Sequence, residues 1–85
     1  MKPVTIYSTR VCAYCVRAKA LLKSKQVAYT EYLVDLDPAR RDEMLSRSHG
    51  QRTVPQIFIG GQHVGGCDDL YALNRRGELD RLLAD

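Results

Sequence analysis

Val4-Thr5-Ile6-Tyr7, then Cys12-Ala13-Tyr14-Cys15 leading into an apolar stripe through Leu22, then Tyr29-Thr30-Glu31-Tyr32-Leu33-Val34: the fold of this 85-residue chain is decided here. The first and last of these runs are rich in branched and aromatic residues, which suit a pleated surface. Between them, from Ala13 to Lys25, Tyr14, Cys15, Ala18, Leu21 and Leu22 recur at helical spacing, while Arg17, Lys19 and Lys23 fall on the opposite side. The basic residues gather late in that segment, where a helix dipole favours them. Strand, helix and strand in so short a span predict a βαβ unit with parallel strands.

Further along, Asp37-Pro38 supplies an N-cap and a proline at the first helical position, opening a helix that carries Met44 and Leu45 and stops at Gly50. Gln56-Ile57-Phe58-Ile59 and Gln62-His63-Val64 flank Gly60-Gly61, a pair able to take the positive φ of a two-residue turn, so these strands form an antiparallel hairpin. Gly65-Gly66 breaks the second strand, and Asp68 and Asp69 open a third helix that runs to Gly77. Leu79, Leu82 and Leu83 add a last turn or two. Neither a linker nor an internal repeat interrupts residues 1–85, which are expected to form one α/β domain with a radius of gyration of about 12 Å.

Hydrophobic residues make up 45% of the chain and charged ones 27%, the balance of a compact globule. With no Trp and one Phe, the core falls to Val, Ile, Leu and the five Tyr. The net charge of +3 is spread along the chain and lacks the dense basic stripe of a nucleic-acid binder. No apolar run reaches the roughly twenty residues of a membrane helix, and Met1-Lys2-Pro3 enters the first strand without a signal-peptide core, so the expected location is the cytosol.

Three cysteines, two of them within one helical turn, make a poor disulfide scaffold. A C-x-x-C pair is also half of a zinc site, with His49, His63 and Cys67 nominally available, but there is neither a second C-x-x-C nor a close His pair. Within a βαβ frame the motif reads as redox-active. Cys12 falls at the start of the helix, beside unpaired N–H groups and Arg10, which together lower a thiol pKa from about 8.5 into the range of roughly 3.5 to 7.5. Cys15, one turn in, stays a thiol. A fall to about 5 raises the thiolate fraction at pH 7 about thirtyfold and lowers intrinsic nucleophilicity about fortyfold, so attack gains little. The gain comes when Cys12 departs, because a low-pKa thiol is the better leaving group from a mixed disulfide.

With Cys12-Ala13-Tyr14-Cys15, Thr53-Val54-Pro55 and Gly65-Gly66-Cys67-Asp68-Asp69 in this order after Tyr7, the whole chain resembles the short bacterial dithiol glutaredoxins. The resemblance implies a thioredoxin-like fold, a four-stranded mixed sheet flanked by helices, and a glutathione-dependent thiol-disulfide oxidoreductase with Cys12 and Cys15 as the catalytic pair. It implies a cis Pro55, glutathione paired along Val54, and its γ-glutamyl carboxylate at the N–H groups of Cys67 and Asp68 after Gly66. An Asp68 or Asp69 carboxylate would lie near the ammonium, with Tyr14 and Thr53 lining the groove. Cys67 itself would serve through its backbone. Two positions depart from the family pattern. Thr9 replaces a lysine that contacts the glycyl carboxylate, leaving Arg10 or Arg52 to substitute, and Ala13 replaces the commonest proline.

Ala13 also brings in a second reading, a [2Fe-2S] cluster shared by two protomers through the first cysteine and glutathione. A third is a redoxin served by a thioredoxin reductase. The implied partners are glutathione and glutathionylated or disulfide-bearing proteins, with ribonucleotide reductase among them by resemblance. The leading reading is a monomer that binds neither nucleic acid nor membrane and holds no metal.

Overall fold

A computed structural model describes residues Met1–Asp85. Its first strand, β1 (Val4–Ser8), is buried at every position but Thr5, so both of its edges and both of its faces need partners. It pairs in parallel with β2 (Thr30–Leu33) and antiparallel with β3 (Gln56–Ile59), and β4 (Gln62–Gly65) completes the sheet in the order β2-β1-β3-β4. Because side chains alternate along a strand, β1 and β3 serve two layers at once. Ile6, Ile57 and Ile59 pack with Ala18 and Leu22 of α1 (Ala13–Ser24) and Leu70 of α3 (Cys67–Arg75), and α4 (Leu79–Leu83) closes this layer with Leu79 and Leu83. Tyr7 and Phe58 point the other way, onto Met44 of α2 (Pro38–Arg47). Each fully buried Leu or Ile contributes roughly 1.5–3 kcal/mol.

The helix ends follow from local chemistry. Asp37 caps α2 by accepting the Arg40 N–H at 3.2 Å, with Pro38 at the first helical position. At the end of α1 the Val27 N–H reaches Leu22 O at 3.0 Å and the Gln26 N–H reaches Lys23 O at 2.9 Å, a Schellman pair that requires Gln26 at φ 59°. Gly60 and Gly61, at φ 57° and 83°, make the predicted hairpin turn.

The radius of gyration is 11.9 Å, as the length implies. Four expectations need correction. Among the tyrosines only Tyr7 is fully buried, where Glu43 and Arg47 satisfy its hydroxyl; Tyr29, Tyr32 and Tyr71 are half-buried and Tyr14 is exposed. Tyr14 leaves the apolar stripe of α1 and is 55% exposed. α2 ends at Arg47, three residues before Gly50, because His49 takes a left-handed φ of 59°. β4 runs one residue beyond the expected Val64, to Gly65, before the Gly65-Gly66 pair ends it.

Candidate active site

The loop after β1 delivers Cys12 to the start of α1 in an extended conformation, φ −157° and ψ 107°, with its side chain as the cap of the helix. Its Sγ accepts the Cys15 N–H at 3.1 Å. No acidic residue occupies the first turn, so the positive end of the helix faces the sulfur undiluted. Cys15 is disulfide-bonded to Cys12 across a Cα–Cα distance of 5.2 Å and is 1% exposed, whereas Cys12 is half-buried. One sulfur therefore meets solvent and the other only its neighbour.

A second wall comes from Thr53-Val54-Pro55, where the Val54–Pro55 peptide is cis. Val54 O lies 3.9 Å from Cys12 Sγ, and neither the N–H nor the C=O of Val54 has a backbone partner. These are strand-edge groups without a strand. The third wall is the start of α3. There Asp69 Oδ2 accepts the Gly66 N–H at 2.9 Å, and the Leu70 N–H closes onto Gly66 O at 3.1 Å. The N–H groups of Cys67, Asp68 and Asp69 make no hydrogen bond within the protein, leaving donors aimed outward at the positive end of a nine-residue helix. Gly65 has φ 116°, and a Cβ there would overlap the Asp69 carboxylate.

These walls enclose an open groove of about 580 Å³. Of the residues expected at the site, Tyr14, Thr53, Val54, Pro55, Gly66, Cys67, Asp68 and Asp69 line it, and Cys12 stands beside it through Val54. Arg10 lies outside; its Nε donates to Asp35 Oδ2 at 2.9 Å in an exposed pair. Arg52 is likewise absent from the walls. Gln51, Gln56 and Val64 line the groove without having been singled out from the sequence, as do Gly65, quoted there only within the motif before Cys67, and His63, named there only as a nominal zinc ligand. Gln56 reads there as a hairpin residue and His63 as a hairpin residue and nominal zinc ligand, and only the pairing of β3 with β4 turns them toward the groove.

Burial pushes the Cys67 thiol up, with Asp68 adding to the effect and Arg17 opposing it, so Cys67 stays protonated at neutral pH and presents only its backbone. The structure assembles no group of three or more His, Cys, Asp or Glu side chains able to hold a metal ion. A [2Fe-2S] cluster carried by thiolates takes four. Here Cys15 and Cys67 are buried, which leaves Cys12 as the single reachable sulfur, so one chain supplies one of the four thiolates and the other three would have to come from glutathione and a second protomer.

A family profile described as glutaredoxin matches residues 4–64. Glutaredoxin 3 of Escherichia coli K12 is 59% identical over 83 residues, covering 98% of this chain and 99% of that protein. A glutaredoxin of Pseudomonas aeruginosa is 56% identical over 84 residues, covering 99% of both. Among solved structures, a glutaredoxin from Brucella melitensis superposes with a TM-score of 0.84 at 54% identity, over 98% of this chain and 89% of that one. A buckwheat glutaredoxin in complex with glutathione superposes at 0.86 with 36% identity, over 96% and 76%. A four-stranded mixed sheet, a half-exposed cysteine capping the first helix and a groove that begins at its sulfur thus occur together in a chain that belongs to the glutaredoxin family of thiol-disulfide oxidoreductases.

Proposed function

We propose that the groove beside Cys12 takes glutathione and that Cys12 is the nucleophile of a glutathione-dependent disulfide reduction. The observation that carries this reading is the shared geometry of the capping sulfur, the open peptide edge of Val54 and the free N–H groups of α3 around one cavity. A γ-glutamyl tripeptide has a complement for each: a cysteinyl unit to pair with Val54 like an added strand, and an α-carboxylate for the Cys67 and Asp68 N–H groups. Asp69 already accepts from Gly66, so Asp68 is the carboxylate left for the ligand ammonium. Tyr14 and Thr53 supply the apolar and polar flanks. At the glycyl end, Thr9 offers no charge and Arg10 would have to leave Asp35.

In the first step the Cys12 thiolate attacks the glutathionyl sulfur of a mixed disulfide. A Cys12–glutathione disulfide forms, and the substrate thiolate leaves and takes a proton. A second glutathione thiolate attacks the bound glutathionyl sulfur, giving glutathione disulfide and regenerating the Cys12 thiolate. On a protein disulfide, the Cys12 thiolate attacks one sulfur, forming a Cys12–protein mixed disulfide and freeing the first protein thiolate. The Cys15 thiolate then attacks the Cys12 sulfur and expels the second. This closes the Cys12–Cys15 bond and releases the reduced protein, after which two glutathione molecules reopen the pair. In the step that gives glutathione disulfide Cys12 is the group expelled, and the amides of α1 stabilise that product.

We place the active form as a monomer, because Cys12, Val54 and the α3 amides already meet around one groove, and its compartment as a reducing one such as the cytosol, where a thiol pair of this kind is kept reduced. Its acceptors are glutathionylated and disulfide-bearing proteins, with ribonucleotide reductase among them on resemblance. The test is glutathione-coupled reduction of a small mixed disulfide. Cys12→Ser is expected to lose turnover entirely, while Cys15→Ser keeps a substantial part of it on glutathionylated substrate. Full turnover by Cys12→Ser would overturn the assignment.

A further inference from the structure

Resting on the reading that glutathione lies along Val54, we propose that His63 is a positioning residue, which holds the Thr53-Val54-Pro55 edge in place for the ligand through the Gln56 amide. Gln56 is 2% exposed, and its Nε2 donates to Thr53 O at 3.0 Å and to Thr53 Oγ1 at 3.2 Å. A carbonyl oxygen can only accept, so the amide nitrogen must face Thr53 and the amide oxygen must face away. That oxygen, Gln56 Oε1, lies 2.7 Å from His63 Nε2, which therefore carries the proton and donates. The hydrogen bonds run in one direction, from the imidazole through the amide to the carbonyl immediately before Val54.

The imidazole is itself held. It stacks on the Phe58 ring at 4.9 Å between centroids and 28° between planes, and the Arg47 guanidinium carbon lies 4.1 Å from the Phe58 centroid. His63, Gln56 and Thr53 all line the groove. Val54 has no ladder hydrogen bond to fix its backbone, so its N–H and C=O are presented only as well as their neighbour Thr53 is anchored. Burial, with His49 and Arg47 adding and Asp69 opposing, keeps the His63 pKa below its ordinary value. At neutral pH the ring is thus a single-donor tautomer.

Removing the donor unties one end of the chain. In His63→Leu, Gln56 Oε1 loses its partner in a buried position and the amide is free to turn away from Thr53. In His63→Gln the side-chain amide nitrogen stands near the position of Nε2 and restores the donor, but the stacking on Phe58 is lost. The two variants therefore separate hydrogen bonding from packing. The experiment measures the nitrogen-15 relaxation order parameter of the Val54 amide in the free protein and the glutathione KM and kcat of the wild type and both variants, with thermal unfolding as the control. His63→Leu is expected to lower the Val54 order parameter and raise KM about tenfold with kcat within twofold. His63→Gln should recover most of the KM although its melting temperature falls like that of His63→Leu. Nitrogen-15 spectra of the wild-type ring should show the Nε2–H tautomer.

Equal loss of KM in both variants, tracking the melting temperature, would overturn the proposal in favour of simple packing. So would an unchanged Val54 order parameter and KM in His63→Leu, or a ring protonated only at Nδ1. If glutathione fails to shift the Val54, Cys67 and Asp68 amides of the wild type, the binding reading falls. The Val54 order parameter then decides the positioning role by itself.

Discussion

Two helices begin at the groove, and they begin differently. The first turn of α1 contains no acid and its cap is the Cys12 sulfur, whereas α3 starts at Gly66, has Asp68 and Asp69 in its first turn, and returns one of them to the Gly66 N–H. The far ends match. Both close with a Schellman pair, Gln26 and Val27 bonding back to Lys23 and Leu22 in α1, Gly77 and Glu78 bonding back to Asn74 and Leu73 in α3. The difference therefore lies where function lies. The positive end of α1 acts on one sulfur without competition, while that of α3 sets outward amides beside carboxylates, the pair of signs that the proposed ligand would need.

The harshest way to break the comparison is Gly65→Ala. A left-handed φ of 116° and a Cβ on top of the Asp69 carboxylate force the cap of α3 apart. The expected loss is about 2 kcal/mol, or a fall of about 10 °C in melting temperature, read by calorimetry. Next, Ala13→Asp gives α1 the acid that α3 has. The like charge beside Cys12 should raise the pH at which its thiol ionises and cut the thiolate fraction several-fold below that midpoint, followed by ultraviolet thiolate absorbance of the reduced protein. An unchanged titration would mean that the amide end of α1 does not control the sulfur.

Asp69→Ala removes the return bond to Gly66 and should cost about 1 kcal/mol, with Asp69→Asn recovering part of it. At the other end, Gln26→Gly brings α1 to the same residue that α3 uses at Gly77 and should stabilise by about 0.5–1 kcal/mol, because the left-handed φ then costs nothing. A destabilised Gln26→Gly would show that the Gln side chain has a role beyond the turn.

The smallest effect concerns acid. Lys19 of α1 pairs with Glu31 of β2 at 2.8 Å, and Ser8 donates to the same carboxylate, while no ion pair ties α3 to a strand. Burial, the largest influence on Glu31, pushes its pKa up, but the Lys19 and Ser8 hydrogen bonds with the nearby lysine charges outweigh it and hold it below its ordinary value. A carboxyl held low in the folded state contributes stability above its ordinary value of 4.5 and loses it as pH falls through the lowered one. Hydrogen exchange below pH 4.5 should therefore rise in α1 before α3.

Much of this was legible in the order of residues. Cys12 at a strand–helix junction, Asp37-Pro38 at a helix start and Gly60-Gly61 in a hairpin are local signals, and the elements formed within a few residues of the expected bounds. Tyr14 misled as part of an apolar stripe because periodicity counts hydrophobic character and not the hydroxyl that seeks water. Gln56 was silent and His63 spoke only as a nominal zinc ligand, since nothing in a strand pattern says that two residues on neighbouring strands will share a hydrogen bond behind a loop. Arg10 looked available for the site until Asp35, twenty-five positions away, was found paired with it.

The sequence by itself determined the element types, the capping sulfur and the chemistry of the C-x-x-C pair, because helix starts, turns and alternating strands depend on neighbours a few bonds apart. Only the tertiary structure decided which amides stay open, which arginine is spent elsewhere and which histidine stands behind the groove. Those outcomes depend on groups far apart in the chain meeting at a few ångströms, where burial and hydrogen-bond competition choose the partner.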